Sequence, residues 1–144
     1  MTKTAKYIVS ILVVAIAVSV AIFTPSCSLW TQEAKNEVAV TVIGATVSSR
    51  LTEAPDKLEA YQKASLVLTE MLDSGDYTSA TIEKRLTEEL SKVFSPAVTS
   101  AVVTTISATI SRMAGDVSDP EKLKNAVTIM RDGINEGIEM YQKG

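Results

Sequence analysis

The chain reads as an all-α protein: an N-terminal signal or anchor helix over residues 1–27, followed by a five-helix bundle over residues 28–144. Three observations predict this. An uncharged apolar run occupies Tyr7 to Phe23, apolar residues recur every three or four positions through the rest of the chain, and Pro and Gly stand where those stretches begin and end. A single domain suits a body of this length.

The first helix of the body is predicted from Gln32 to Thr52. Val38, Val40 and Val42 alternate as a strand would, but Ala39, Ile43, Thr46 and Val47 form a helical stripe, and Glu33, Lys35 and Glu37 give it a charged lead suited to a helix start. In the second, Pro55 takes the first turn, Asp56 and Glu59 lie near the positive end of the helix dipole, and Leu58, Tyr61, Ser65, Leu68, Met71 and Leu72 share one face. Gly75 ends it.

A third helix, from Ser79 to Phe94, is predicted to bury Ile82, Leu86, Leu90, Val93 and Phe94, leaving Glu83, Lys84, Glu88, Glu89 and Lys92 in solvent. Ser95 and Pro96 then read as N-cap and first residue of a fourth helix running to Met113, with Val98, Val102, Ile106, Ile110 and Met113 as its stripe and Gly115 beyond its end. No charge occurs in it from Pro96 to Ser111. Because Ser and Thr are so frequent there, the expected place of this helix is the core of the bundle and not a membrane. Asp119 and Pro120 repeat the cap and start for a fifth helix, whose inner face carries Leu123, Val127, Met130, Ile134, Ile138 and Tyr141. Gly133 and Gly137 interrupt it, each costing about 1 kcal/mol relative to alanine, which close approach of another backbone would explain.

An internal repeat links two of these helices. Residues 40–48, VTVIGATVS, align without gaps with residues 103–111, VTTISATIS, at six identities in nine positions, and Arg50 and Arg112 follow soon after. Pro55-Asp56-Lys57-Leu58 likewise corresponds to Pro120-Glu121-Lys122-Leu123. The pattern suggests two duplicated helical hairpins, helices one and two and helices four and five, joined by the third as a central helix. The small residues of helices one and four further suggest that these two lie closest, at the centre of the bundle.

The leader is the most specific feature. Lys3 and Lys6 precede the 17-residue apolar run Tyr7 to Phe23, and the only cysteine, Cys27, follows it after Thr24, Pro25 and Ser26. This order resembles a bacterial lipoprotein signal peptide, which implies lipidation of Cys27 (by acyl chains such as palmitate) and a body held at a membrane. Ser26 matches the family pattern, whereas Thr24 and Pro25 depart from the aliphatic and small residues usual in their places. The same segment is also compatible with an uncleaved spanning anchor, since 17 residues fall at the short end of the roughly 17–25 needed; with ordinary signal cleavage after Ser26; or with a buried core helix.

In the three exported readings the basic start stays cytoplasmic, which places the body on the periplasmic side of the cell envelope. The resemblance implies outer-membrane delivery, since Ser28 and not Asp follows Cys27. Leu29 and Trp30 would then lie near the headgroups.

Composition narrows the functions of the body. It holds 12 of the 14 basic residues and all 17 acidic ones, a formal charge of 12 − 17 = −5, so no nucleic-acid partner is expected. The chain has no histidine, which removes the commonest general base and most zinc sites, and Cys27 is committed to the tether. The glycines form no phosphate-binding loop. Carboxylate pairs such as Glu88 with Glu89 and Glu136 with Glu139 read as solvated helix faces, and Asp73 and Asp76 lack the ligand count of a calcium loop. Arg50 and Arg112 could frame an anion, although stabilisation of helix C-termini is the simpler role.

No catalytic residue, cofactor or metal site is therefore expected. The leading expectation is a non-enzymatic membrane-tethered lipoprotein serving as an interaction or structural module, with a protein partner. The alternatives are a carrier of a small apolar ligand and a membrane-active protein of the lysis or pore type, possible for a phage-encoded chain.

Overall fold

The computed structural model describes residues 32–144, all of whose regular elements are helical. Helix α1 spans Gln32–Glu53, a 3-10 turn takes Pro55–Lys57, and α2 (Leu58–Ser74), α3 (Ser79–Ser91), α4 (Pro96–Ala114) and α5 (Pro120–Lys143) follow. The residues read as leader, Cys27 among them, lie outside the described residues.

The helix boundaries have local causes. Thr78 and Ser95 use their hydroxyls to accept the backbone N–H of Thr81 (3.1 Å) and Val98 (3.3 Å). The Asp119 carboxylate accepts from Glu121 N–H at 3.0 Å and Lys122 N–H at 3.4 Å, so α3, α4 and α5 each begin on a side-chain cap. Pro96 and Pro120 occupy first-turn positions, where the missing N–H costs no helical bond. Gly75 closes α2 in the left-handed conformation at φ 73°, which a residue with a Cβ rarely adopts.

Two expectations about α3 and α1 are corrected. Helix α3 stops at Ser91, three residues early: Val93 N–H bonds the Leu90 carbonyl in a tightened final turn, and Ser95 must be extended ahead of Pro96. Val93, counted as core by helical spacing, is therefore 66% exposed, and Phe94 is only half-buried. In α1, Thr46 faces solvent and bonds its own backbone at the Val42 carbonyl, while Ile43, Val47 and Leu51 make the inward stripe.

Side chains from all five helices meet in one core, with Tyr61, Leu68, Met71, Leu86, Leu90, Ile106, Met130 and Ile134 sealed from solvent. Its hub is α5, which packs against α1, α2 and α4. This corrects the expected pairing of α1 with α4. The closest crossing is α1 with α5, and the reason is glycine. A Cβ built on Gly137 would stand 2.7 Å from both the Gly44 carbonyl oxygen and Val47 Cβ, one on Gly133 would stand 2.6 Å from Ile43 Cβ, and one on Gly44 would stand 2.8 Å from Glu136 Cγ. Helix α4 has no glycine to permit such an approach. Nor is α3 central: it packs between α2 and α4 at the edge of the bundle.

The register of these contacts sets the chain directions. Asn36 pairs with Asn125, Ile43 meets Gly133 and Val47 meets Gly137, so α1 and α5 run parallel. Lys63 meets Glu89 and Glu70 meets Arg85, so α2 and α3 run antiparallel. One end of the bundle thus gathers the N-terminus of α1, the α2–α3 turn and the α4–α5 loop. The other gathers the α1–α2 corner, the α3–α4 turn and the C-terminus of α5.

Candidate functional site

The described part of α1 starts at Gln32, five positions after Cys27 in the sequence, and the residue singled out for lipidation lies outside the described residues.

The two arginines of the repeat are not brought together. Arg50, in the last turn of α1, reaches across to α4 and donates to the Thr105 hydroxyl at 3.4 Å. Beneath it lies Tyr61, 1% exposed, whose hydroxyl is pushed above its ordinary value of 10.0 by burial, partly offset by the Arg50 charge and by a hydrogen bond with Thr105. Arg112 lies seven residues farther along α4, about 10 Å of helix rise towards the opposite end, and is exposed. They do not frame one anion. Arg50 instead joins three helices through Thr105 and Tyr61.

The carboxylates considered for acid–base work behave as surface groups. Glu89 is held below the usual carboxylate range, first by its hydrogen bond from Lys92, and Glu139 likewise by Lys143. A general acid near neutral pH needs the opposite shift, produced by burial or by a neighbouring like charge. Asp73 and Asp76 are exposed at the α2–α3 turn.

Sequence reasoning missed a groove along the α1–α5 seam. It has a volume of about 500 Å³, opens to solvent, and is flanked by Glu33 and Glu37 of α1 and Asp132 and Glu136 of α5, with Asn36 and Asn125 hydrogen-bonded across it at 3.1 Å. Two carboxylates one helical turn apart on each helix were the available signal, but only the parallel pairing of α1 and α5 brings the two pairs to one groove. Arg131 pairs with its neighbour Asp132 at 3.1 Å. Among the described residues no cluster of three or more acidic or cysteine side chains is arranged to hold a metal ion.

A second groove of about 250 Å³ runs between α3 and α4 and is lined by the hydroxyl residues Thr87, Ser91, Thr99, Ser100 and Thr104. The Thr99 hydroxyl oxygen and that of Ser107 farther along α4 are buried with no hydrogen-bond partner. Neither groove is the enclosed apolar cavity that a carrier of a small apolar ligand needs. Among the described residues no helix is long and apolar enough to cross a membrane, α4 included.

Comparison with protein-family models, with curated proteins and with solved structures finds no match to this chain.

Proposed function

We propose that this chain is a non-enzymatic module of a bacterial cell envelope, held at the periplasmic face of a membrane by acyl chains on Cys27, and serving as an interaction or structural component with a protein partner. The observation that carries the reading is the order of Lys3 and Lys6, the apolar run Tyr7 to Phe23, and the lone Cys27, set directly ahead of a helical body. Ser28 after Cys27 favours the outer membrane. The lack of histidine and the low carboxylate pKa values of Glu89 and Glu139 support a non-catalytic role, because acid–base work at neutral pH needs groups that titrate near it. The open, carboxylate-lined groove on α1 and α5 gives no support to the apolar-carrier alternative.

The two repeated segments are read as diverged copies, of which the second forms a packed hairpin, α4 with α5, whereas α1 packs on α5 and not on α2 as the expected first hairpin requires. Equivalent positions, Ile43 with Ile106 and Val47 with Ile110, are buried in both. Gly44 of the first copy has become the crossing point with α5, whereas its counterpart Ser107 buries an unpaired hydroxyl.

Metabolic labelling with an alkyne fatty acid tests the tether: the wild-type chain should acquire the label and Cys27→Ala should not. Label in both, or in neither, contradicts it. Crosslinking the full chain in intact cells tests the module role, which predicts a discrete adduct with an envelope protein; adducts with none count against it.

A further inference from the structure

We propose that the bundle stands on the membrane by one end, the end built from the N-terminus of α1, the α2–α3 turn and the α4–α5 loop, with its long axis directed away from the lipid surface. This rests on the reading of Cys27 as the tether and adds the orientation of the body.

Chain length supplies the first argument. Only residues 28–31 separate Cys27 from α1, and the five steps from Cys27 to Gln32 reach at most about 17 Å. The 22 residues of α1 span about 33 Å, about twice that reach. The first turn of α1 is therefore confined near the headgroups, while the far end lies beyond the tether unless the bundle tips onto a flank.

Topology determines what shares the confined end. Because α1 and α5 run parallel, with Asn36 level with Asn125, the start of α5 at Pro120 stands beside the start of α1. The loop before it, with Val117 39% exposed, therefore belongs to the lipid-facing end. Val93, 66% exposed between α3 and α4, belongs to the opposite one.

The distribution of exposed apolar side chains decides against tipping. Carboxylates stand both on the α1–α5 flank, at Asp132 and Glu136, and at the tethered end itself, at Glu33, Glu37, Asp73, Asp76, Asp116 and Glu121, so anionic headgroups favour neither face. A helix lying in the interface needs a broad apolar face. The large apolar side chains exposed among the described residues are Leu66, Val93, Val117 and Met140, spread over α2, two separate connections and α5, and they form no stripe along one helix.

The test places a fluorescent non-natural residue at Val117 or at Val93 in the full chain, reconstituted in phosphatidylethanolamine–phosphatidylglycerol vesicles that carry a headgroup nitroxide. Quenching should be several-fold stronger at 117 than at 93. Equal quenching at the two sites, or stronger quenching at 93, overturns the orientation. The intact mass of the same samples separates this result from the tether itself. An acylated chain starting at Cys27 upholds the reading on which the orientation rests. An unprocessed mass removes that reading, while the contrast between 117 and 93 still decides which end faces the lipid.

Discussion

The α1–α5 seam and the α3–α4 seam are built by opposite means. In the first, Gly44, Gly133 and Gly137 remove side chains so that two backbones touch, and the contact excludes anything larger than hydrogen at those Cα positions. In the second, no glycine stands in either helix, hydroxyl side chains line a groove of about 250 Å³, and the hydroxyl of Thr99 is buried with no hydrogen-bond partner. Both seams close one core, but they tolerate change differently. A glycine crossing fails when volume is added, whereas a seam with an orphaned polar group improves when polarity is removed.

The largest expected break is at the tight seam. Gly137→Leu should cost about 3 kcal/mol or more, because its Cβ alone would overlap the Gly44 carbonyl and Val47, and backbone cannot yield as a side chain does. Urea denaturation should show this as a lowered midpoint, and an unchanged midpoint would mean that α1 and α5 do not cross there. Next comes Asp119→Ala, which removes the cap that accepts from Glu121 and Lys122 N–H and should cost about 1 kcal/mol, read as a lower melting temperature.

On the α3–α4 seam, Thr99→Val keeps the shape and removes an unpaired buried hydroxyl, so stability should stay level or rise by up to about 1 kcal/mol. A loss of that size would show that the hydroxyl has a partner and that the two seams are more alike than described.

A smaller effect is expected at high pH, at the contact that ties α4 to α1 and α2. Burial raises the Tyr61 hydroxyl, so in the folded state its neutral form is favoured. Its contribution to stability is complete below its unfolded value of 10.0 and is lost as pH rises through the higher folded value. Phenolate absorbance should show Tyr61 ionising above the ordinary value of 10.0, a component that Tyr61→Phe removes, and Tyr61→Phe should flatten the alkaline fall in stability.

Much of the fold was legible because local signals agreed with tertiary demand. Ser95-Pro96 and Asp119-Pro120 announced two helix starts that the structure keeps, and the inward stripe of α5 from Leu123 to Ile138 is buried as its spacing requires. The end of α3 was misread because Val93 continues the apolar period after Pro96 has already dictated an extended residue before it, so the proline outranks the pattern.

The choice of crossing partner was not legible at all. Gly133 and Gly137 signal that some backbone comes close, but that it is α1 at Gly44 depends on an offset of about ninety residues that no local feature records. The carboxylate-lined groove was hidden for the same reason. Glu33 with Glu37, and Asp132 with Glu136, are ordinary surface pairs until parallel packing places them around one opening.

The central claim is that Cys27 becomes a lipid-bearing N-terminus directly ahead of this bundle. Intact-mass measurement of the native protein, set beside Cys27→Ala, tests it most directly. The account predicts a wild-type mass equal to residues 27–144 plus acyl groups and an unprocessed mass for the variant; a wild-type mass equal to the full 144-residue chain would contradict it.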